Sequence, residues 1–364
     1  MGREIETLAE FDHVVATGDL RRCAVQGVDL SQRGSQLAHC QVDGALFLGC
    51  SLAHDVADGL ARRGAIVLPD LDFGPLRPHR GSLYHSIDLY DTYPGGSYAD
   101  SYDARVYRWL QGPQRETLHH QLAQGLHDHA VTDALTDGFA ANGHSVVGIM
   151  GGHAMQRGSE DYEETAQLAF RLATAGKLVA SGGGPGAMEA ANLGARLSGH
   201  GTAALQQALE MVASTPSFRP SIDAWAAQAF AVLERFAGGA DSLGIPTWFY
   251  GHEPPNVFAS HIAKYCSNAI REDMLLRLCG GGLIYLPGAA GTVQELFQAV
   301  TGNYYAADSA ELVPLVLVGV QYWTKALPAW PLLASLAEGR EMAQAIVLVD
   351  TAAEAGDWLL ARGA

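Results

Sequence analysis

"LIYLPGAAGTVQELFQAV", Leu283 to Val300, opens as an apolar strand and closes as a helix. Between the two lies a turn of small residues, Pro287-Gly288-Ala289-Ala290-Gly291-Thr292. A strand-to-helix junction this bare leaves backbone N–H groups free at the positive end of a helix, where an anion can bind. Tight packing alone is the competing reason for so many small residues. Thr292 suits either reading, as a helix cap or as a ligand of a phosphate oxygen. Glu295 stands one helical turn further on. The helix dipole alone favours an acid there. The alternative is a carboxylate that serves whatever the turn holds.

The same alternation runs outward from this stretch. "SVVGIM", "KLVAS", "LGIPTWF", "GGLIYLP", "LVPLVLVG" and "AIVLVD" are short apolar runs separated by helical segments. Strands of this kind predict a parallel sheet with helices on both faces. The fold class is α/β, a Rossmann-like doubly wound sheet, with ligands beyond the carboxyl ends of the strands. The sheet domain is expected over residues 142–364, with a helical insertion at about 203–237. "NVFASHIAKYCSNAIREDMLLRLC" reads as one long helix. Residues 1–94 read as a small N-terminal α/β unit and 95–141 as a helical linker. "YDTYPGGSYADSYDARVY" reads as a loop or boundary. "CAVQGVDL" and "CQVDGALFLGCSL" alternate as strands do, and their shared opening hints at a short repeat.

Composition narrows the function. The 364 residues are 48% hydrophobic and 17% charged, enough for a sizeable core, and the net charge is −16. That balance argues against nucleic acid or an anionic membrane as the ligand, since both reward clustered cations. A small phosphorylated ligand needs only local donors. No apolar run reaches membrane-spanning length, and "MGREIETLAEFDHVV" lacks an apolar leader core, so a cytoplasmic chain is expected. Cys23, Cys40, Cys50, Cys266 and Cys279 show no C-x-x-C spacing and read as reduced thiols. No H-E-x-x-H or Cys/His cluster suggests a metal. His119, His120, His127 and His129 read as a solvated helix face. Tyr84, Tyr90, Tyr93, Tyr98, Tyr102 and Tyr107 read as a packing layer between domains or subunits.

A second bare turn, Ser181-Gly182-Gly183-Gly184-Pro185-Gly186-Ala187, also joins a strand to a helix. Gly182, Gly184 and Ala187 fit the dinucleotide pattern G-x-G-x-x-G/A. The ribose-binding acid that pattern requires falls about 20 residues on, in "GTAALQQALE", which leads a helix rather than ending a strand. An NAD(P)-dependent oxidoreductase is therefore disfavoured. Two such turns together favour a phosphate pocket. Gly151, Gly152 and His153 follow the first core strand and should line the same cleft, while His252 and Glu253 in "YGHEPPN" could face a base or belong to a stiff crossover.

"SGGGPGAMEAANLGA" followed by "REDMLLRLCGGGLIYLPGAAGTVQEL" resembles the LOG (LONELY GUY) family, formerly described as lysine decarboxylases. The resemblance covers roughly residues 144–320. Its pattern is a G-G-G-x-x-G-x-M turn, an arginine on a helix, and P-G-G-x-G-T-x-x-E. Three positions depart from it: Ala289 replaces the second glycine, Glu272 the lysine after the arginine, and Glu189 the glycine after Met188. The N-terminal unit and the insertion point to a longer bacterial subfamily. The resemblance implies hydrolysis of the N-glycosidic bond of a nucleoside 5′-monophosphate to free base and ribose 5-phosphate, without cofactor or metal, by at least a homodimer. It implies catalytic roles for Arg271 and Glu295. It implies substrate or phosphate contacts from Gly151, Gly152, His153, Ser181, Gly182, Gly183, Gly184, Gly186, Met188, Pro287, Gly288, Ala289, Gly291 and Thr292. Ala289 and Glu272 motivate an alternative, a nucleotide sensor or carrier with the same pocket and little or no turnover. No recognisable lysine site for pyridoxal phosphate supports decarboxylation.

Overall fold

The strands are β1 (Glu4–Ile5), β2 (Ala24–Gln26), β3 (Leu46–Leu48), β4 (Ile66–Leu68), β5 (Val146–Met150), β6 (Leu178–Ser181), β7 (Ser242–Gly244), β8 (His261–Ile262), β9 (Gly282–Tyr285), β10 (Leu315–Val318) and β11 (Ile346–Val349). They come from a computed structural model that describes residues 3–68, 73–140, 145–249 and 253–363. The chain forms two compact units, Met1–Ser82 with Pro113–Ala130, and Leu83–Gly112 with Val131–Ala364.

The second unit holds a seven-stranded sheet in the order β11-β10-β9-β5-β6-β7-β8. Every pairing in it is parallel. From β5 the chain builds outward through β6, β7 and β8, then returns to the other side of β5 with β9. The strand order therefore reverses between β5 and β9, and the crevice at their carboxyl ends is the place where such sheets bind ligands. Alternate residues Val147, Ile149, Val179, Ile284, Leu286, Val316 and Val318 share one apolar cluster with residues of the helices Glu160–Thr174, Ala187–Leu197 and Ala352–Ala361. Gly148 faces the other way, where an added Cβ would meet Cys279 Sγ at 2.8 Å. Cys279 ends the Asn268–Leu278 helix, so helices cover both faces. On the first face, Gly194 lets two helices approach closely. A Cβ there would lie 1.9 Å from the Ala166 carbonyl oxygen.

Three readings of this unit are corrected. Residues 256–267 are not helical: they include β8, and the helix spans only Asn268–Leu278. The Asn256 side-chain oxygen accepts the N–H groups of Phe258 and Ala259, a local turn that competes with a helix. The run "LGIPTWF" leaves the sheet after Gly244, just before Pro246, which has no N–H to donate to the ladder. The Tyr-rich segment is not all loop. Ser97 and Ser101 cap a short turn at Tyr98–Asp100 and a helix at Tyr102–Leu110. Tyr90 packs on Tyr98 and Phe230, and Tyr84 on Tyr102 and Trp248, all inside this unit rather than between two.

The first unit is a parallel ladder, β1-β2-β3-β4. Glu4 pairs with Ala24, Ala24 with Leu46, and Leu46 with Ile66, a repeat of 20 to 22 residues per coil. The hint from the two cysteines had the wrong period, for Cys23 and Cys40 are not equivalent positions. The repeat shows instead in backbone geometry. Arg22, Gly44 and Gly64 each stand two residues before a strand with φ of +59°, +68° and +89°. The uniformly solvated histidine face is also corrected. His119 and His129 are exposed, but His120 and His127 are buried. They share a face of the Leu118–Leu135 helix with buried Ala123 and Ala130, as a seven-residue spacing dictates.

Candidate functional site

Three loops meet at the carboxyl ends of β5, β6 and β9. Gly152 ties them together: its N–H donates to Pro287 O at 3.2 Å, and its carbonyl accepts the Ala187 N–H at 3.2 Å. One residue thus fixes both glycine turns relative to each other. The contact is close. Gly186 has φ +72°, and a Cβ on it would lie 2.5 Å from Gly152 O. Only glycine fits a position so strained and so crowded by backbone.

Side chains missed by sequence reading shape the first turn. The Ser181 hydroxyl donates to Asn192 Oδ1 at 2.7 Å and accepts the Gly183 N–H at 3.0 Å. Asn256 Nδ2 donates to Gly184 O at 3.1 Å and to Asn192 Oδ1 at 3.0 Å. Asn192 Nδ2 in turn reaches Leu243 O at 3.1 Å. Both asparagines are fully buried. The signal for Asn192 was a polar residue within the run of small apolar residues "AANLGA". Ser181 therefore spends its hydroxyl on the turn itself. Gly182, Gly183, Gly184 and Gly186 are buried, and half-buried Met188 packs against the first and third of them.

The second turn is more open. Gly288 and Thr292 are buried, whereas Pro287, Ala289, Ala290 and Gly291 are exposed. The Tyr322 hydroxyl donates to Gly288 O at 2.6 Å, another link absent from the sequence reading. Gly288 must lack a side chain, because a Cβ would come 2.2 Å from Thr292 Oγ1. The Ala290–Tyr305 helix starts after Ala289 with no side-chain cap, and the Ala187–Leu197 helix starts after Gly186 in the same way. Thr292 does not serve as the N-cap.

Arg271 and Glu295, from two different helices, meet. Arg271 Nη1 donates to Glu295 Oε1 at 3.0 Å, and Nη2 donates to Asn268 Oδ1 at 3.0 Å. Glu272 Oε1 lies 2.9 Å from the same Nη2. Exposure is 6% for Arg271, 1% for Glu272 and 8% for Glu295. Burial pushes the Glu295 carboxyl up to about 7, with Arg271 opposing the rise and Glu272 adding to it. Burial also raises the Glu272 carboxyl. Arg271 and Glu272, neighbours on one helix, thus form a buried ion pair rather than an exposed one.

Away from that pair lies a cavity of about 280 Å³, walled by Gly186, Glu189, Phe218, Arg219, Trp225 and Glu253 among others. Glu189, the departure after Met188, is its buried floor and accepts the Arg157 Nε at 2.9 Å. Phe218, Arg219 and Trp225 come from the helical insertion. His153 Nδ1 lies 3.1 Å from Glu253 Oε1 at the edge of the cavity. His252 lies outside the described residues. The glycine turn spans the two regions: a Cβ on Gly182 would be 3.9 Å from Arg271 Nη1, and one on Gly184 would be 3.7 Å from Glu253 Oε2.

Fold and site together define a Rossmann-like α/β protein with two bare turns and a buried arginine–glutamate pair at the switch point of its sheet. Residues 226–359 match the family model Lysine_decarbox, described as "Possible lysine decarboxylase", which agrees with the LOG-family resemblance of the sequence. The matched segment contains Arg271, the second turn and Glu295, while the first turn precedes it. Among solved structures, the chain is similar to the molybdenum cofactor carrier protein of Chlamydomonas reinhardtii, at 17% identity over 60% of this chain and 99% of that one, with a TM-score of 0.37. It is also similar to the molybdenum cofactor binding protein of Rippkaea orientalis, at 14% identity over 61% and 98%, with a TM-score of 0.38. At these scores nothing about ligand or activity follows for this chain. No curated protein matches it. No helix among the described residues is long and apolar enough to cross a membrane.

Proposed function

We propose that the chain hydrolyses the N-glycosidic bond of a nucleoside 5′-monophosphate, giving free base and ribose 5-phosphate. One observation carries this reading. The helix whose uncapped start forms the open second turn also carries Glu295, which is held on Arg271. A phosphate on the free N–H groups of that turn would fix the attached sugar relative to the carboxyl group. Cleavage builds positive charge on C1′ and O4′ as the C1′–N bond breaks. A carboxylate beside the sugar stabilises that charge and takes a proton from the attacking water. The water oxygen bonds to C1′, and the bonding pair leaves with the base. Gly182 to Gly184 lead from the Arg271 side toward the cavity edged by Glu253 and His153, which suits the base.

The three lysines do not support a Schiff-base decarboxylase. Lys177 reaches Ser145 Oγ, Lys325 is exposed, and Lys264 is buried in an ion pair with Asp103. A second reading, nucleotide binding without turnover, draws on the near-complete burial of Glu295 and on an arginine already shared by two glutamates.

The test is incubation of the purified full chain with a panel of nucleoside 5′-monophosphates, followed by chromatography for free base. Release from at least one of them, lost in Glu295→Gln, is expected. Tight binding with no base from any nucleotide, at high protein concentration, selects the second reading. Neither binding nor base would refute both.

A further inference from the structure

Glu272 is the least exposed member of the Arg271 cluster, at 1%, and yet neither of its carboxyl oxygens receives a hydrogen bond. Its Oε1 is within ion-pair distance of Arg271 Nη2, 2.9 Å, but outside hydrogen-bonding geometry, while the same nitrogen donates to Asn268 Oδ1. Arg271 Nε is also without a partner. Two buried carboxyl groups therefore lean on one guanidinium. If both were ionised, the cluster would hold an uncompensated negative charge away from water, a costly state. Paired carboxyl groups in this position resolve the conflict by retaining a proton.

We propose that Glu272 is a positioning residue that shares one proton with Glu295 across Arg271, so that the pair can both give a proton to the leaving base and take one from water. This rests on the hydrolytic reading for its chemical consequence, but the shared proton itself does not. The remaining titratable groups around Glu295 do not supply the missing charge. Cys279, at the end of the Asn268–Leu278 helix, and Tyr285, on β9, both have their pKa values raised by burial and stay neutral. The Tyr285 hydroxyl donates to the Glu295 backbone oxygen, 3.3 Å away, not to its carboxyl group. Arg271 is thus the single cation on the pair among the described residues that influence it.

The step balances. Water oxygen bonds to C1′, and the C1′–N electron pair goes to the base nitrogen. The shared proton passes to the base, and the proton lost by water replaces it on the pair. The cluster finishes with the proton count it began with, and no other reactant is needed.

Infrared titration of the full chain in H2O and D2O reads the protonated carboxyl directly, without substrate. A buried carboxyl band should persist to near neutral pH in the wild type. In Glu272→Gln the band of Glu295 should titrate at least one pH unit lower, and in Glu295→Gln the band of Glu272 should fall likewise. Superimposable titrations in the wild type and either folded variant would overturn the proposal. The pH profile of base release supplies the second readout. Wild-type release should decline above neutral pH, and in Glu272→Gln that decline should begin at least one unit lower. An unchanged profile in a variant that still releases base also overturns it. Shifted infrared titrations with no base released by any chain would uphold the shared proton and reject the hydrolase reading.

Discussion

Replacing Gly186 by alanine tests whether the two turns are one device. Gly186 has φ +72°, and the new Cβ would sit 2.5 Å from Gly152 O and 2.8 Å from His153 C. Both obstacles are backbone, so no side chain can swing aside. The backbone conformation costs about 1–3 kcal/mol for a residue with a Cβ. Moving Gly152 away breaks its bond from the Ala187 N–H, which removes about 1 kcal/mol more. The sum is about 3 kcal/mol, or a fall in Tm of roughly 6–12 °C for a unit of this size. Gly201→Ala is the matched control, because Gly201 has φ +85° but a Cβ on it would meet no atom within 4 Å. It bears the backbone cost alone. Thermal unfolding of both variants, with and without nucleotide, separates strain from contact. Because Gly152 also donates to Pro287 O, Gly186→Ala should weaken nucleotide binding at the second turn as well. Equal melting of the two variants, with nucleotide binding unchanged in Gly186→Ala, would refute the argument.

Two further outcomes follow from the site. Asn256→Ala removes two donated and two accepted hydrogen bonds at a fully buried position, so denaturant unfolding should show a loss of about 2–4 kcal/mol. A loss under about 1 kcal/mol, by that same measurement, would mean the first turn holds itself. For Glu295, the folded carboxyl titrates at about 7 against an ordinary 4.5, so the native state holds a proton that the unfolded chain releases. Its stabilising contribution is full below about pH 4.5 and is lost as pH rises through about 7, on the order of 3 kcal/mol. Denaturant unfolding at pH 5 and pH 8 should show this decline in the wild type and much less of it in Glu295→Gln. Equal slopes would contradict it.

The apolar strands were legible because a buried parallel strand has no polar face to disguise it. "SVVGIM" and "LVPLVLVG" announce β5 and β10 by composition. β8 escaped because His261–Ile262 sits inside a run whose buried residues have no single period. Its conformation is set by contacts distant in sequence, including the isolated bridge from Tyr84 to Ile262. The coil of the first unit was hidden for a related reason. Its repeat lies in backbone dihedrals, with Arg22 standing where later coils have glycine. The two turns, and Arg271 and Glu295 as residues of interest, were readable from motif and spacing, but their pairing was seen only in the fold. The locks on the turns were not readable, since Asn192, Asn256 and Tyr322 are 64 and 66 residues apart along the chain.

The sequence by itself determined the local chemistry: bare turns where strands become helices, and Glu295 one turn into the helix that follows. Those features depend on neighbours in the chain, which a reader can see. Tertiary structure alone decided what surrounds them. Burial made Glu272 a carboxyl group without a hydrogen bond that shares Arg271 with Glu295. Gly152 joined Ala187 of one turn to Pro287 of the other, 100 residues further along the chain. Ala289, whose methyl group replaces a family glycine, stands exposed at the open second turn rather than packed inside it. Charge and solvation depend on every atom within a few ångströms, and only the fold brings those atoms together.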